Sequence, residues 1–249
     1  MQISNWKKYA ARDRLLVLLA KSLKPILNRY DDRLSQGSDH DSRKEVPVFI
    51  VGSPRCGSTL LYQAITNQLD VSYINNLTSA FYMNLISGFK ISSLIYHDRA
   101  HNNFYSRYGT TLAAGLNAPS ECGRFWYQWF PREPHFLSDD DVPDEEKTEI
   151  QQVISTVLTT FRRPLVLKNL MMGQRIRLLQ SMFPNAKYIH CRRSIVENVD
   201  ALLRARRELK IPDSDWWSVK PKNYREIQTL GEVDRSVMQI YETERQIVA

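Results

Sequence analysis

The most informative stretch of this chain is Val48-Phe-Ile-Val-Gly-Ser-Pro-Arg-Cys-Gly-Ser-Thr59, which continues into Leu60-Leu-Tyr-Gln-Ala-Ile65. Its order predicts a short buried strand, a tight loop bounded by glycines, and an amphipathic helix that begins near Gly57. Such a loop directs several backbone N–H groups and the N-terminus of a helix at one point. The stretch therefore predicts a binding site for a phosphate or sulfate group.

Further strands are predicted for two later segments, Pro164-Leu-Val-Leu-Lys168 and Ala186-Lys-Tyr-Ile-His-Cys191. A helix is predicted after each of them, over about 174–182 and on to about Lys210. Strands that alternate with helices are typical of a parallel sheet with right-handed crossovers. The fold class is therefore predicted as α/β, with a parallel sheet and flanking helices.

Residues that can hold an anion come at the end of each predicted strand. The loop 52–59 follows the first strand, Lys168 ends the second, and Arg192 follows the third. Ligands of parallel sheets bind at the carboxyl ends of the strands, which lie along one edge. We therefore expect these three groups to converge on one ligand.

A polar segment, Asp31–Glu45, divides the chain into two parts. Residues 1–45 are predicted to contain a basic helix over about 5–30 and a linker, and residues 46–249 to form the α/β domain. The region 70–140 shows no clear alternation of strand and helix and is rich in aromatic residues. It is predicted to be a helical insert, and two roles stay open for it: shaping the pocket of the acceptor, or helical packing alone.

Composition and charge are those of a soluble domain, with 43% hydrophobic and 24% charged residues among 249. An excess of 34 Lys and Arg over 27 Asp and Glu gives a net charge of +7. This charge suits a small anionic ligand, an acidic acceptor or a membrane surface. The basic residues are spread along the chain rather than gathered in a stripe, so nucleic acid is not an expected partner.

The N-terminal helix and the cysteines bear on location. The helix is basic, and its weak contact with a membrane surface stays open as an alternative to simple packing. Its apolar run 15–20 is too short to span a bilayer, and no signal peptide is recognised. The three cysteines have no zinc-binding spacing, which favours free thiols. Together these features predict a cytoplasmic protein without a transmembrane segment.

The glycines at 52 and 57 have the spacing of a nucleotide P-loop, but Ser58 stands where the P-loop has its lysine. The cation of this loop is Arg55 instead. A kinase would lose its main contact with the β- and γ-phosphates and would keep only Thr59 as a magnesium ligand. A small-molecule kinase therefore remains an alternative, less favoured by the residues.

The segment Pro54-Arg-Cys-Gly-Ser-Thr59 resembles the 5′-phosphosulfate-binding loop of the sulfotransferases that use 3′-phosphoadenosine-5′-phosphosulfate (PAPS). Phe183-Pro-Asn-Ala-Lys-Tyr-Ile-His-Cys-Arg192 is similar to the second signature of that family, a strand that ends in an arginine. The resemblance extends from about 46 to 210. It implies a P-loop-like sulfotransferase architecture and the transfer of a sulfonate from PAPS to a hydroxyl acceptor by in-line displacement.

The resemblance also implies a role for each matching position. Arg55 would contact the sulfonate, Arg192 would bind the 3′-phosphate, and Lys168 would contact the cofactor or the transferred group. No metal is expected. The residues of the loop that would hold the 5′-phosphate are Pro54, Cys56, Gly57, Ser58 and Thr59.

Two departures from the family pattern leave open an inactive, anion-binding homologue. Eight residues after the arginine the family has a serine that also binds the 3′-phosphate, and this chain has Asp200. Because an aspartate repels phosphate, either Ser194 or Asn198 would substitute, or affinity for the cofactor would be weak. The glutamate base that some members carry after the loop helix is replaced by Asn75-Asn76.

The catalytic base is predicted to be Glu121, since it lies in an aromatic segment and apolar surroundings can raise the pKa of a carboxyl group. A surface or helix-capping role for Glu121 stays open. His97 and His101 are alternative bases. Their i, i+4 spacing also permits a metal, but no third ligand is evident. The acceptor is a small-molecule, carbohydrate or lipid hydroxyl, and the sequence does not choose among these.

Overall fold

The structure, a computed structural model, describes residues 3–36 and 46–248. Its centre is a four-stranded sheet in which all recorded pairings are parallel and the strand order is β2-β3-β1-β4. The α/β fold class and the parallel sheet with flanking helices are confirmed. The strands are β1 (Pro47–Gly52), β2 (Ser72–Tyr73), β3 (Leu165–Lys168) and β4 (Lys187–Cys191).

Helices cover both faces of this sheet and form most of the remaining described chain. In chain order they are α1 (Ile3–Gln36), α2 (Ser58–Gln68), α3 (Asn76–Ala80), α4 (Leu85–Tyr96), α5 (Gly123–Trp126), α6 (Asp144–Phe161), α7 (Ile176–Met182), α8 (Ile195–Leu209), α9 (Tyr224–Ile227) and α10 (Glu232–Val248). Short 3-10 turns occur at Leu112–Ala114, Asp139–Asp141 and Leu170–Gln174.

The central strand β1 is buried on both faces. Phe49, Ile50 and Val51 are each no more than 1% exposed, as expected for a strand with a parallel neighbour on either side. Phe49 and Val51 belong to the larger core cluster, whereas Ile50 packs against Tyr62 of α2 on the other face. A continuous apolar run therefore predicted a buried strand correctly.

The register of the sheet aligns the carboxyl ends of three strands. Ile50 of β1 pairs with Lys168 of β3, and Gly52 pairs with Cys191 of β4. Lys168 and the connections that follow Gly52 and Cys191 consequently lie along one edge. This edge is where parallel sheets bind their ligands, and it positions the candidate site.

The aromatic region 70–140 contains α3, α4 and α5, joined by long irregular segments. Phe125, Trp126 and Phe130 are no more than 2% exposed, and the rings of Trp126 and Phe130 stack with centroids 5.9 Å apart. Much of the aromatic content therefore builds the core, since stacked buried rings stabilise a packed interior.

The N-terminal helix extends further than the sequence predicts. α1 continues to Gln36 instead of ending near 30, because Asp31 accepts a hydrogen bond from the backbone N–H of Ser87 at 2.9 Å. That contact fixes α1 against the first turn of α4. The rest of the predicted linker, residues 37–45, lies outside the described residues. Neither α1 nor any other helix of the described chain combines the length and apolar composition needed to cross a bilayer.

Candidate active site

The loop between β1 and α2 leaves backbone N–H groups open at the start of a helix. Gly57 adopts φ +100°, a left-handed conformation that glycine reaches without steric cost. It caps α2 without any side-chain hydrogen bond, so the first N–H groups of the helix have no partner within it. Those groups and the helix dipole favour a negatively charged ligand at this end.

A cavity of about 470 Å³ opens beside this loop. Its wall includes Arg55 and Thr59 from the loop, Lys168 from β3 and Glu121 from the aromatic region. Four sequence-predicted residues are thus brought together at the carboxyl edge of the sheet. The other loop residues that line the cavity are Pro54, Gly57, Ser58 and Leu60. Cys56 faces the protein interior and is 6% exposed.

Arg55 supplies a positive charge that no described carboxylate neutralises. Its Nε is buried and has no hydrogen-bond partner among the described residues. Its guanidinium carbon lies 5.5 Å from the centroid of the Tyr108 ring, within the range of a cation–π contact. A buried donor without a partner is costly, and an anion in the cavity would supply the missing acceptor.

Lys168 links the loop to Glu121. Its side chain is 1% exposed, and its Nζ donates a hydrogen bond to Thr59 Oγ1 at 3.2 Å. The same ammonium group forms an ion pair with Glu121 Oε1. Glu121 thus has a buried cation as its immediate partner, whereas the sequence had indicated an aromatic setting.

Gly109 allows a second loop to approach this ion pair. Its φ is +89°, and a Cβ atom built on it would lie 3.0 Å from Glu121 Oε1. Any larger residue would therefore need both an unfavourable backbone conformation and a displaced carboxylate. The loop that contains Gly109 also carries Tyr108 into the cavity wall.

His135 lines the cavity and was not predicted from the sequence. Burial lowers its pKa from the ordinary 6.5 to about 4, and the charges of Arg175 and Lys220 act in the same direction. Its Nδ1 accepts a hydrogen bond from the backbone N–H of Lys220 at 2.8 Å. The proton of the neutral ring therefore lies on Nε2, and His135 presents a donor rather than a base at neutral pH.

This depressed pKa predicts a loss of stability in mild acid. Unfolded His135 binds a proton near its ordinary pKa of 6.5, whereas the folded protein resists protonation until about 4. The stabilisation is therefore complete above pH 6.5 and is lost as the pH falls toward 4. A His135→Asn variant keeps an acceptor for the backbone N–H of Lys220. Between neutral pH and the acid end of this window, its free energy of unfolding should fall by roughly 3 kcal/mol less than that of the wild type.

Urea unfolding of both proteins at neutral pH and at about pH 4.5 measures this difference. Other groups titrate in the same range, but they are shared by the two proteins and cancel in the comparison. Equal pH dependence in wild type and variant would show that His135 is not the titrating group.

The arginine pair after β4 divides between two surroundings. Arg193 lines the cavity, and its Nε lies 3.2 Å from Glu197. Arg192 does not line it: the side chain is 71% exposed, with Nε 3.4 Å from Glu244 Oε2. The binding role of Arg192 stays a prediction, and of the two arginines after β4 it is Arg193 that lines the cavity. The turn between β4 and α8 decides which of the two arginines faces the cavity. The spacing of residues in the sequence does not show which one it is.

Asn198 and Asp200, the two α8 residues considered for the 3′-phosphate site, do not line the cavity. Asn198 is 1% exposed and donates a hydrogen bond to Ser53 Oγ at 2.7 Å. It supports the loop from behind. Asp200 is on the outer face of α8, 2.8 Å from Arg204. Its charge is therefore paired at the surface, and Asp200 is absent from the lining of the cavity.

The predicted histidines do not reach the cavity either. His97 is exposed at the end of α4. His101 is 4% exposed, and its Nε2 lies 3.0 Å from Thr66 Oγ1. Burial lowers the pKa of His101, and hydrogen bonds of its ring to the backbone of Gln63 and Asn103 oppose that change. Within residues 3–36 and 46–248, no three His, Cys, Asp or Glu side chains form a group that could hold a metal.

A model of the sulfotransferase family matches residues 47–248 of this chain. The match begins with the first residue of β1 and ends with the last residue of α10. It thus includes every described strand and the whole cavity edge, and it leaves out α1. No curated protein and no solved structure gives a significant match.

Proposed function

This chain belongs to the sulfotransferase family, and from that membership we propose that it transfers a sulfonate group from PAPS to a hydroxyl group of an acceptor. The observation that carries the proposal is the buried Nε of Arg55, which has no partner in the described part of the chain, beside the open N-terminus of α2. Together they offer a cation and backbone donors for the phosphosulfate. The P-loop lysine that a kinase needs is replaced by Ser58.

The donor would be held along the carboxyl edge of the sheet. The N–H groups at the start of α2 and the hydroxyl of Thr59 suit the 5′-phosphate. Arg55 would bind the sulfonate, and Lys168, 3.2 Å from Thr59 Oγ1, would stabilise charge on the oxygen between phosphorus and sulfur. Arg193 is the cavity residue that would bind the 3′-phosphate.

Glu121 is proposed as the base. Its Oε1 faces Lys168, which leaves Oε2 to accept the proton of the acceptor hydroxyl. The hydroxyl oxygen forms a bond to sulfur as the bond from sulfur to the 5′-phosphate oxygen breaks, and adenosine 3′,5′-bisphosphate leaves. Sulfonyl transfer of this kind needs mainly positioning and stabilisation of charge, and the cavity concentrates cations at the place where that charge develops.

Calorimetric titration separates the proposal from its nearest rival. The protein should bind adenosine 3′,5′-bisphosphate without a metal and should bind ATP with Mg²⁺ far more weakly. Incubation with PAPS and a panel of hydroxyl acceptors, followed by mass detection of an added sulfonate, tests the reaction itself. Binding of ATP with Mg²⁺ in preference to the bisphosphate would overturn the assignment, and binding without transfer would indicate an inactive homologue.

The two arginines after β4 give a matched test of the 3′-phosphate site. We expect Arg193→Ala to weaken the binding of adenosine 3′,5′-bisphosphate by about 10- to 100-fold, because a charge-assisted hydrogen bond contributes about 1.5–3 kcal/mol. Binding of adenosine 5′-phosphate should hardly change. Arg192→Ala is the control, since its side chain is 71% exposed beside Glu244. The opposite ranking would assign the 3′-phosphate to Arg192.

A further inference from the structure

A second cavity, of about 330 Å³, adjoins the first. The two share Tyr108, Gly109 and Glu121 in their walls, so Glu121 stands at their junction. The first cavity contains the anion loop, and the second lies on the other side of the proposed base. A molecule in the second cavity could present a hydroxyl group to Glu121 without displacing the donor.

Most residues in the wall of this second cavity have polar side chains, although polar and apolar atoms share its surface about equally. The wall contains two carboxylates, an amide, several hydroxyl groups and a guanidinium group. The polar lining residues are Asp13, Asn76, Ser79, Tyr108, Thr110, Thr111, Ser120, Glu121 and Arg124. Ligands that form hydrogen bonds with the polar groups of a cavity wall bind more tightly than ligands that leave those groups unpaired.

We propose that this second cavity binds the acceptor and that the acceptor is a polyhydroxylated compound of the carbohydrate type. The inference rests on the proposed function and narrows its acceptor class. The Asn76 amide and the Thr111 hydroxyl already donate hydrogen bonds to backbone carbonyl groups. The group that selects the ligand is therefore the Arg124 guanidinium, and a flat phenol or a steroid offers few acceptors to its remaining N–H donors. A sugar has hydroxyl groups around its ring, and each of them can donate and accept hydrogen bonds.

Arg124 is the cationic group in the described wall of the second cavity. Its Nη2 lies 2.7 Å from Asp13 Oδ2 and its Nη1 3.3 Å from Asp13 Oδ1. The Asp13 side chain is 9% exposed, whereas that of Arg124 is 43% exposed. A guanidinium group has five N–H donors, so the ion pair orients Arg124 and leaves donors for a ligand. Asp13 is thus a positioning residue for Arg124.

Asp13 belongs to α1, outside the residues that match the family model. The acceptor site therefore combines the sulfotransferase domain with a helix that the family match does not include. We expect this helix to contribute to the acceptor preference of the chain, because it fixes the one arginine in the cavity wall.

Acceptor assays with PAPS test this directly. Methyl glucoside and maltose should be sulfonated with kcat/KM at least about tenfold above 4-nitrophenol and a hydroxysteroid. Arg124→Gln and Asp13→Asn should raise the acceptor KM by about tenfold, with kcat and the Kd of adenosine 3′,5′-bisphosphate nearly unchanged. Arg124→Lys should recover part of the loss. Arg204→Gln is the control, because its partner Asp200 lies outside both cavities.

Binding of methyl glucoside by saturation-transfer NMR, with and without the bisphosphate, keeps this inference separate from the proposed function. Sugar binding that Arg124→Gln abolishes would support the site even if no transfer occurred. Preference for the phenol or steroid would overturn the acceptor class, as would absence of sugar binding in a protein that binds the bisphosphate. An equal loss of sugar binding in the Arg204→Gln control would contradict a role for the ion pair of Arg124 and Asp13.

The outer face of α1 carries a second, independent feature. Six large apolar side chains are exposed over residues 7–36 of α1. The four most exposed are Leu15, Leu18, Leu19 and Ile26, at 68%, 61%, 50% and 67%, and the others are Leu23 and Tyr30, at 37% and 43%. Over residues 7–30 every exposed charged side chain is basic, and the only acidic residue there, Asp13, is buried against Arg124. The exposed basic residues are Lys7, Lys8, Arg14, Lys21, Lys24 and Arg29.

From this charge pattern we infer that α1 docks on an anionic lipid surface. A helix segment with exposed leucines beside basic side chains, as over residues 7–30 of α1, lies in the membrane interface, where its leucines enter the acyl boundary and its cations face anionic head groups. The opposite face of α1, with Leu16, Val17 and Ala20, packs against Leu77 and Phe81. The outer face is therefore available while the fold stays intact.

Co-sedimentation with lipid vesicles tests the docking surface. Vesicles with phosphatidylserine should bind the protein, phosphatidylcholine vesicles should bind it weakly, and added salt should reduce binding. Leu15→Ser/Ile26→Ser should lower binding at least about fivefold, whereas Val196→Ser, 78% exposed on α8, should not. No binding to the anionic vesicles would overturn the inference. So would light scattering that shows a dimer of the wild type and a monomer of the double variant.

Discussion

Arg55→Ala is expected to reduce the rate of sulfonate transfer by at least about 100-fold, the usual cost of removing one preorganised donor from a site of developing charge. Arg55 carries the buried Nε that lacks a partner among the described residues. Its charge would act on the sulfonate as the bond to the 5′-phosphate lengthens. The loss should therefore appear mainly in kcat, with a smaller change in the Kd of adenosine 3′,5′-bisphosphate, which has no sulfonate.

Arg55→Lys and Arg204→Ala complete the experiment on Arg55. The lysine variant keeps a positive charge but not the planar fork, so partial recovery is expected. Arg204 is an exposed arginine outside the cavity, and its replacement should leave the rate unchanged. Wild-type kcat in Arg55→Ala would contradict the assignment of Arg55 to the transferred group.

Glu121→Gln is expected to lower kcat by about 100- to 10,000-fold, because a general base contributes a factor of that order. The binding of adenosine 3′,5′-bisphosphate should persist. The substitution also leaves the Lys168 ammonium, 1% exposed, without its carboxylate. A loss of about 2 kcal/mol in the free energy of unfolding should therefore accompany the loss of activity.

A double variant separates these two effects of Glu121. Lys168→Met/Glu121→Gln removes both members of the ion pair and should recover stability, because replacement of a buried pair by uncharged groups is often neutral. Its activity should stay low. If Glu121→Gln lost stability but kept its kcat, Glu121 would be only the structural partner of Lys168, and another group would have to serve as base.

Local sequence predicted the frame of the molecule well. The apolar run before Gly52 and the helix pattern after Gly57 depend on neighbours in the chain, and the structure has β1 and α2 there. The predicted strands that end at Lys168 and Cys191 are also present. Helix and strand periodicity is a local property, which is why these elements could be found before any contact was known.

Local sequence failed where a contact with a distant segment decides the structure. The end of α1 was predicted near 30, but Asp31 is held by the backbone of Ser87, 56 residues away. No pattern around Asp31 indicates that partner. The polar composition after residue 30 favours a linker, and tertiary packing overrides it.

The sequence by itself determined the class of fold, the loop between β1 and α2 and the cation within it, because a strand, a glycine turn and a helix N-terminus are set within a dozen residues. Only the tertiary structure decided which side chains complete the site. Glu121 meets Lys168 across 47 residues, Arg193 rather than Arg192 lines the cavity, and His135 enters it from an irregular segment. Contacts of this kind depend on how the loops cross the end of the sheet. Their physical cause is long-range packing rather than the periodicity of the chain.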